Sequence, residues 1–93
     1  MQNPDIARLF DEVADLLEIQ NENPFRVRAY RNAARVVRDY PRPLTDEVRR
    51  DADLTEIPGI GKDLAEKIQE IVATGAPALH RQLAAKLPAG LLD

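Results

Sequence analysis

The chain has no cysteine, a single histidine and no long hydrophobic run. Without cysteine there can be neither a disulfide framework nor a thiolate metal site. His80 alone cannot build a metal centre. No apolar stretch approaches the roughly 20 residues that a membrane-spanning helix needs. No leader with a basic start and an apolar middle opens the chain, so the expectation is a soluble cytoplasmic protein without a membrane partner. Ninety-three residues are enough for one domain, here taken as 1–93, with a modest core.

What the chain does have is charge, and the charge is segregated. Charged residues make up 31% of the chain, for a net charge of −3, which by itself weighs against a polyanionic partner. Residues 1–23, however, hold one arginine against six acids, a balance of −5, and residues 24–42 hold six arginines against one acid, a balance of +5. An acidic helix is thus followed by an arginine helix. The second can lie on a phosphate backbone while the first faces away.

Asn3 and Pro4 read as cap and first residue of the acidic helix, and Ile6, Leu9, Phe10, Val13, Leu16 and Leu17 recur at steps of three and four. Asn23-Pro24 repeats the same start signal, and the next helix is expected from Pro24 to about Tyr40, with Val27, Tyr30, Ala33, Ala34 and Val37 inward. Arg28, Arg31, Arg35 and Arg38 fall on one outer stripe. Asp39 is the only acid in this helix, so the arginines must pair with the first helix, with another molecule or with water. Pro41 and Pro43 break the pattern. A short packing helix follows, capped by Thr45 with Val48 inward.

The organising stretch is Leu54 to Ile68. It reads as a short helix, a tight turn through Pro58-Gly59-Ile60-Gly61, and an amphipathic helix with Leu64, Ile68, Ile71 and Val72 on one side. Gly59 and Gly61 allow backbone conformations and close approaches that a Cβ blocks, and Ile60 plugs the turn into the core. Such a turn aims free N–H groups at solvent from a helix N-terminus, which suits a phosphate oxygen. Gly75 suits the end of that helix. Pro77 starts a last one in which Leu79 and Leu83 cap the core while His80 and Arg81 are exposed. The expected fold is all-α, about four main helices plus one short helix.

Ile57-Pro58-Gly59-Ile60-Gly61 resembles, at every position, the hydrophobic-Pro-Gly-hydrophobic-Gly hairpin of helix-hairpin-helix DNA-binding proteins. The stretch from Asn23 to Ala34, the opening from Ile6 to Glu18, and Ala65-Glu66-Lys67-Ile68 extend the likeness over residues 3 to 92 or so. It is a likeness to the small amino-terminal domain of bacterial family X DNA polymerases, the domain that carries 5′-deoxyribose phosphate lyase activity in DNA polymerase beta. The resemblance implies one helix-hairpin-helix domain from a longer polymerase, monomeric, acting on gapped or nicked duplex DNA in base excision repair. Binding would be sequence-independent, with Gly59, Ile60, Gly61 and Lys62 presenting the hairpin to phosphate and Arg28, Arg31 and Arg35 adding charge.

By the same resemblance, Arg26, Tyr30 and Lys67 occupy the positions of a 5′-phosphate pocket, and Lys67 matches the Schiff-base lysine. Asp63, four residues before Lys67, replaces a lysine of the lyase members and works against a free amine, so an ion-paired helix lysine stands beside the catalytic reading. No cofactor is required by this reading. A sodium or potassium ion at the hairpin, held by the carbonyls of Thr55, Ile57 and Ile60, is implied by resemblance only. The other reading is a non-catalytic protein-interaction module docking through its arginine helix.

Overall fold

The computed structural model describes residues 1–75 and 78–85. The all-α expectation holds: among the described residues there are helices α1 (Asn3–Ile19), α2 (Pro24–Asp39), α3 (Leu44–Arg49), α4 (Lys62–Thr74) and α5 (Ala78–Ala85), with one 3-10 turn at Leu54–Glu56. The segment expected to be a short helix before the hairpin is that single 3-10 turn. Asp53 starts it, its carboxylate accepting from the Thr55 N–H at 3.0 Å, and Pro58 leaves no room for a second turn.

α1 and α2 form an antiparallel pair, because Asp11 meets Arg38 while Glu18 meets Arg31. The apolar faces predicted from the three- and four-residue steps are the faces that pack. Ile6, Phe10, Val13, Leu16 and Leu17 of α1 are buried, and so are all five residues expected inward on α2. Phe10 and Tyr30 meet edge-to-face with centroids 5.7 Å apart. Leu44, Leu54, Ile60, Leu64, Ile68 and Ile71 complete the core from the other elements.

Both α1 and α3 end on a residue with positive φ, Asn21 at 58° and Asp51 at 57°. In each case the next N–H reaches back to close the helix, Glu22 to the Leu17 carbonyl at 2.9 Å and Ala52 to the Glu47 carbonyl at 3.0 Å. Asn and Asp tolerate the left-handed region better than other side chains do, so the pattern needs no glycine. At Gly75 the expected glycine closure of α4 is present, with φ at 88°.

Three expectations are corrected. The cap of α1 is Gln2, whose N–H donates to Asp5 Oδ2 at 2.9 Å. Asn3 lies inside the first turn and reaches across the fold instead. Its amide nitrogen donates to the carbonyls of Arg42 at 2.8 Å and Tyr40 at 3.4 Å, and its oxygen accepts from the Leu44 N–H at 2.8 Å. Thr45 likewise sits within α3, which begins after Pro43, and its hydroxyl donates to the Met1 carbonyl at 2.9 Å. His80 is not exposed: it is half-buried against α1, with Nε2 3.0 Å from Glu12 Oε2. The helix start at Pro77 and the side chains of Leu79 and Leu83 lie outside the described residues.

Candidate nucleic-acid interface

The hairpin is a tight turn that packs on α2. The Leu54 carbonyl accepts from the Ile57 N–H at 3.1 Å, and the Ile57 carbonyl accepts from the Ile60 N–H at 3.0 Å. Ile60 is buried and anchors the turn from inside. Gly59 has φ of 92°, and a Cβ placed there would lie 3.0 Å from Val36 Cγ2 and 3.1 Å from Asn32 Nδ2. The fold therefore requires glycine at 59, both for its backbone conformation and for its packing on α2.

Gly61 differs. Its φ of −85° is open to any residue, and a Cβ there would meet nothing within 4 Å. It is the N-cap of α4, with its carbonyl accepting from the Ala65 N–H at 2.9 Å and with no side chain to satisfy the amides of the first turn. Among the described residues the N–H groups of Gly59, Gly61 and Lys62 have no partner within the chain. An open, side-chain-free surface with unspent donors at the positive end of a helix is a surface on which an anion can sit close. Among the described residues the carbonyls of Thr55 and Ile60 accept no backbone hydrogen bond either, whereas that of Ile57 accepts from the Ile60 N–H.

Tyr30 combines two roles. Its ring belongs to the core, with the whole residue 1% exposed, yet its hydroxyl is buried and has no hydrogen-bond partner. Burial pushes its pKa above the ordinary 10.0, and Asp63 adds to the push. Arg26 comes close enough to favour the ionised form without reaching hydrogen-bond geometry. Tyr30 thus lies near Arg26 from its own helix and near the first turn of α4. One turn further along α4, Lys67, half-buried, has Nζ 3.4 Å from Asp63 Oδ1. Arg26, Lys62 and Asp63 are exposed, and Glu70 is a second carboxylate acting on the hydroxyl. An unpartnered buried hydroxyl is an unusual feature in a folded protein.

The arginine stripe divides in two. Arg31 lies 2.9 Å from Asp15, 3.2 Å from Glu18 and 4.0 Å from Asp11, and Arg38 lies 3.2 Å from Asp11. Arg28 sits over the exposed Phe25 ring at 5.4 Å, and Arg35 donates to the Asn32 side chain. Sequence reasoning missed Glu47, a buried carboxylate that holds Arg50 at 2.7 Å and Arg42 at 3.4 Å. A clue was present: Glu47 falls three residues after Leu44 on the short helix, on its inward side.

With a hairpin of this geometry between the 3-10 turn and α4, the chain belongs to the helix-hairpin-helix domain family, which it matches over residues 1–77. It is also similar to the DNA polymerase/3′-5′ exonuclease PolX of Bacillus subtilis (strain 168), at 32% identity over 92 residues. That match takes in 99% of this chain but 15% of the relative, so the chain spans a small part of that protein's length. Among the described residues no helix is long and apolar enough to cross a membrane.

Proposed function

We propose that the chain is a sequence-independent DNA-binding module, which holds the 5′-phosphate side of gapped duplex DNA as part of a family X-type repair polymerase in the bacterial cytoplasm. The observation that carries this reading is Gly61. The fold does not need a glycine there, and the bare backbone beside it offers the free amides of Gly59, Gly61 and Lys62. Contacts of this kind fix position and carry no base information, so binding is strongly dependent on salt. Support for a nearby phosphate pocket comes from the orphaned Tyr30 hydroxyl with Arg26 close to it and with Lys67 paired to Asp63, the carboxylate of α4 that also acts on that hydroxyl. A sodium or potassium ion on the carbonyls of Thr55, Ile57 and Ile60 would draw a phosphate to the hairpin by its charge.

Lys67 is the group through which this module would act as a lyase. Its Nζ adds to the aldehyde carbon of an abasic sugar and water leaves, giving a protonated imine. Loss of the adjacent C2′ proton then expels the 3′-phosphate. Asp63 holds the amine in an ion pair and opposes the first step.

Tyr30→Phe tests the pocket apart from the fold. Removing an unpartnered buried hydroxyl leaves stability unchanged or raises it. The variant is expected to keep its affinity for a 5′-hydroxyl gap and to lose the preference for a 5′-phosphate. A preference equal to that of the unaltered protein would refute the pocket.

A further inference from the structure

The division of the arginine stripe is an observation about direction. α2 carries arginines on two neighbouring lines. One line, Arg31 and Arg38, points back at α1 and is neutralised by Asp11, Asp15 and Glu18. The other, Arg28 and Arg35, has no carboxylate within 4.0 Å among the described residues, although Asp39 lies one helical turn beyond Arg35 and Glu22 stands before the start of the helix. Phe25 supports the Arg28 guanidinium without cancelling its charge, and Asn32 orients Arg35. Arg28, Asn32 and Arg35 follow at steps of four and three, so they share one face, and with the edge of Arg31 they line a single shallow depression. Asn32 is also the residue against which Gly59 of the hairpin packs. The unneutralised face and the hairpin are therefore one continuous surface.

Resting on the DNA-binding reading, we propose that Arg28, Asn32 and Arg35 form a phosphate track that extends the grip of the hairpin along the backbone of the same DNA. At 1.5 Å per residue, Arg28 and Arg35 are about 10.5 Å apart along the helix axis. Laid parallel to the axis of a duplex in which each strand rises about 3.4 Å per nucleotide, that separation matches about three nucleotides. The acids of α1 have a part in this arrangement. Core packing of α2 sets its roll, and by pairing with Arg31 and Arg38 these acids are neutralised on the α1 side, away from the track.

The test is a salt series on this 93-residue chain with a plain duplex, comparing Arg28→Ala, Arg35→Ala and the double variant with Arg38→Ala, which removes the same charge from the same helix. Each track variant is expected to lower the log–log salt slope by about 1, so that the affinity ratio between about 50 and 200 mM salt shrinks about fourfold per arginine. Arg38→Ala is expected to leave the slope in place. The inference is overturned if the double variant keeps the original slope, or if Arg38→Ala lowers it as much as Arg28→Ala does. Gly61→Thr, measured alongside, separates the two levels: weakened binding there with an unchanged slope in the double variant removes the track and leaves the hairpin, whereas undiminished binding there removes the hairpin reading itself.

Discussion

Gly59 and Gly61 stand two residues apart in one turn, and the structure assigns them opposite sensitivities. Gly59→Ala places a Cβ where φ is 92° and where Val36 and Asn32 already stand at 3.0 and 3.1 Å. A non-glycine residue held in such a region costs about 1–3 kcal/mol. In a domain of this size each kcal/mol lowers Tm by about 4–8 °C, so a drop of at least about 4 °C is expected. Gly61→Thr meets open space at an ordinary φ and sits at an N-cap, where threonine and glycine are about equally favourable. Its Tm is expected within about 2 °C of the unaltered protein, since it lies within the few tenths of a kcal/mol that separate these caps. The same threonine keeps a phosphate away from the amides of Gly61 and Lys62. A hydrogen bond to a charged group contributes about 1.5–3 kcal/mol. Losing one weakens duplex binding by roughly 10- to 150-fold. Thermal melts and fluorescence anisotropy on the two variants read both quantities. The reasoning fails if Gly61→Thr binds duplex as tightly as the unaltered chain, or if Gly59→Ala melts at the same temperature.

Further expectations concern the frame and the pocket. Asn3→Ala removes three hydrogen bonds that tie α1 to the loop before α3, and at about 1 kcal/mol each it should lower stability by about 2–3 kcal/mol in denaturant unfolding. Asp63→Asn releases Lys67 from an exposed ion pair, so stability changes by less than about 0.5 kcal/mol while borohydride trapping on an abasic 5′ end rises. Tyr30 is held with a raised pKa, so folding favours its protonated form: stability should be flat with respect to this group below pH 10.0 and should fall as pH rises beyond it, a decline that Tyr30→Phe abolishes. Asp53 is held below its ordinary 3.8 by the Thr55 hydroxyl and N–H. Its contribution to the 3-10 turn is complete above that value and fades as pH falls through the lowered pKa, which amide exchange of Thr55 can follow.

Helical period made much of this legible in advance. The inward face of α2 could be read residue by residue because burial in a helix follows the 3.6-residue repeat and nothing else. The hairpin was readable because proline, glycine and an apolar plug each have one local use there. What period cannot give is the roll of one helix against the next. The four outer arginines looked equivalent in sequence, and only the packing of α1 beside α2 decides that Arg31 and Arg38 meet acids while Arg28 and Arg35 do not. Asn3 carried a good cap signal, but Gln2 and Asp5 cap the helix, and the distant loop of Tyr40 to Leu44 competes for its side chain. His80 stood on a face that looked solvated until Glu12 of α1 met it. The unpartnered state of the Tyr30 hydroxyl is invisible in sequence for the same reason, because it depends on the packing of other elements around it.

If the hairpin and its neighbouring pocket hold a phosphate at a DNA end, a downstream 5′-phosphate strengthens binding. The most direct measurement is a titration of the chain against single-nucleotide-gapped duplex with and without a downstream 5′-phosphate, each at two salt concentrations. Binding is expected to be tighter to the phosphorylated gap and weaker to both substrates at the higher salt. Equal affinity for the two gaps would rule out the pocket of Arg26, Tyr30 and Lys67, and no binding to either at low salt would rule out DNA binding by this chain.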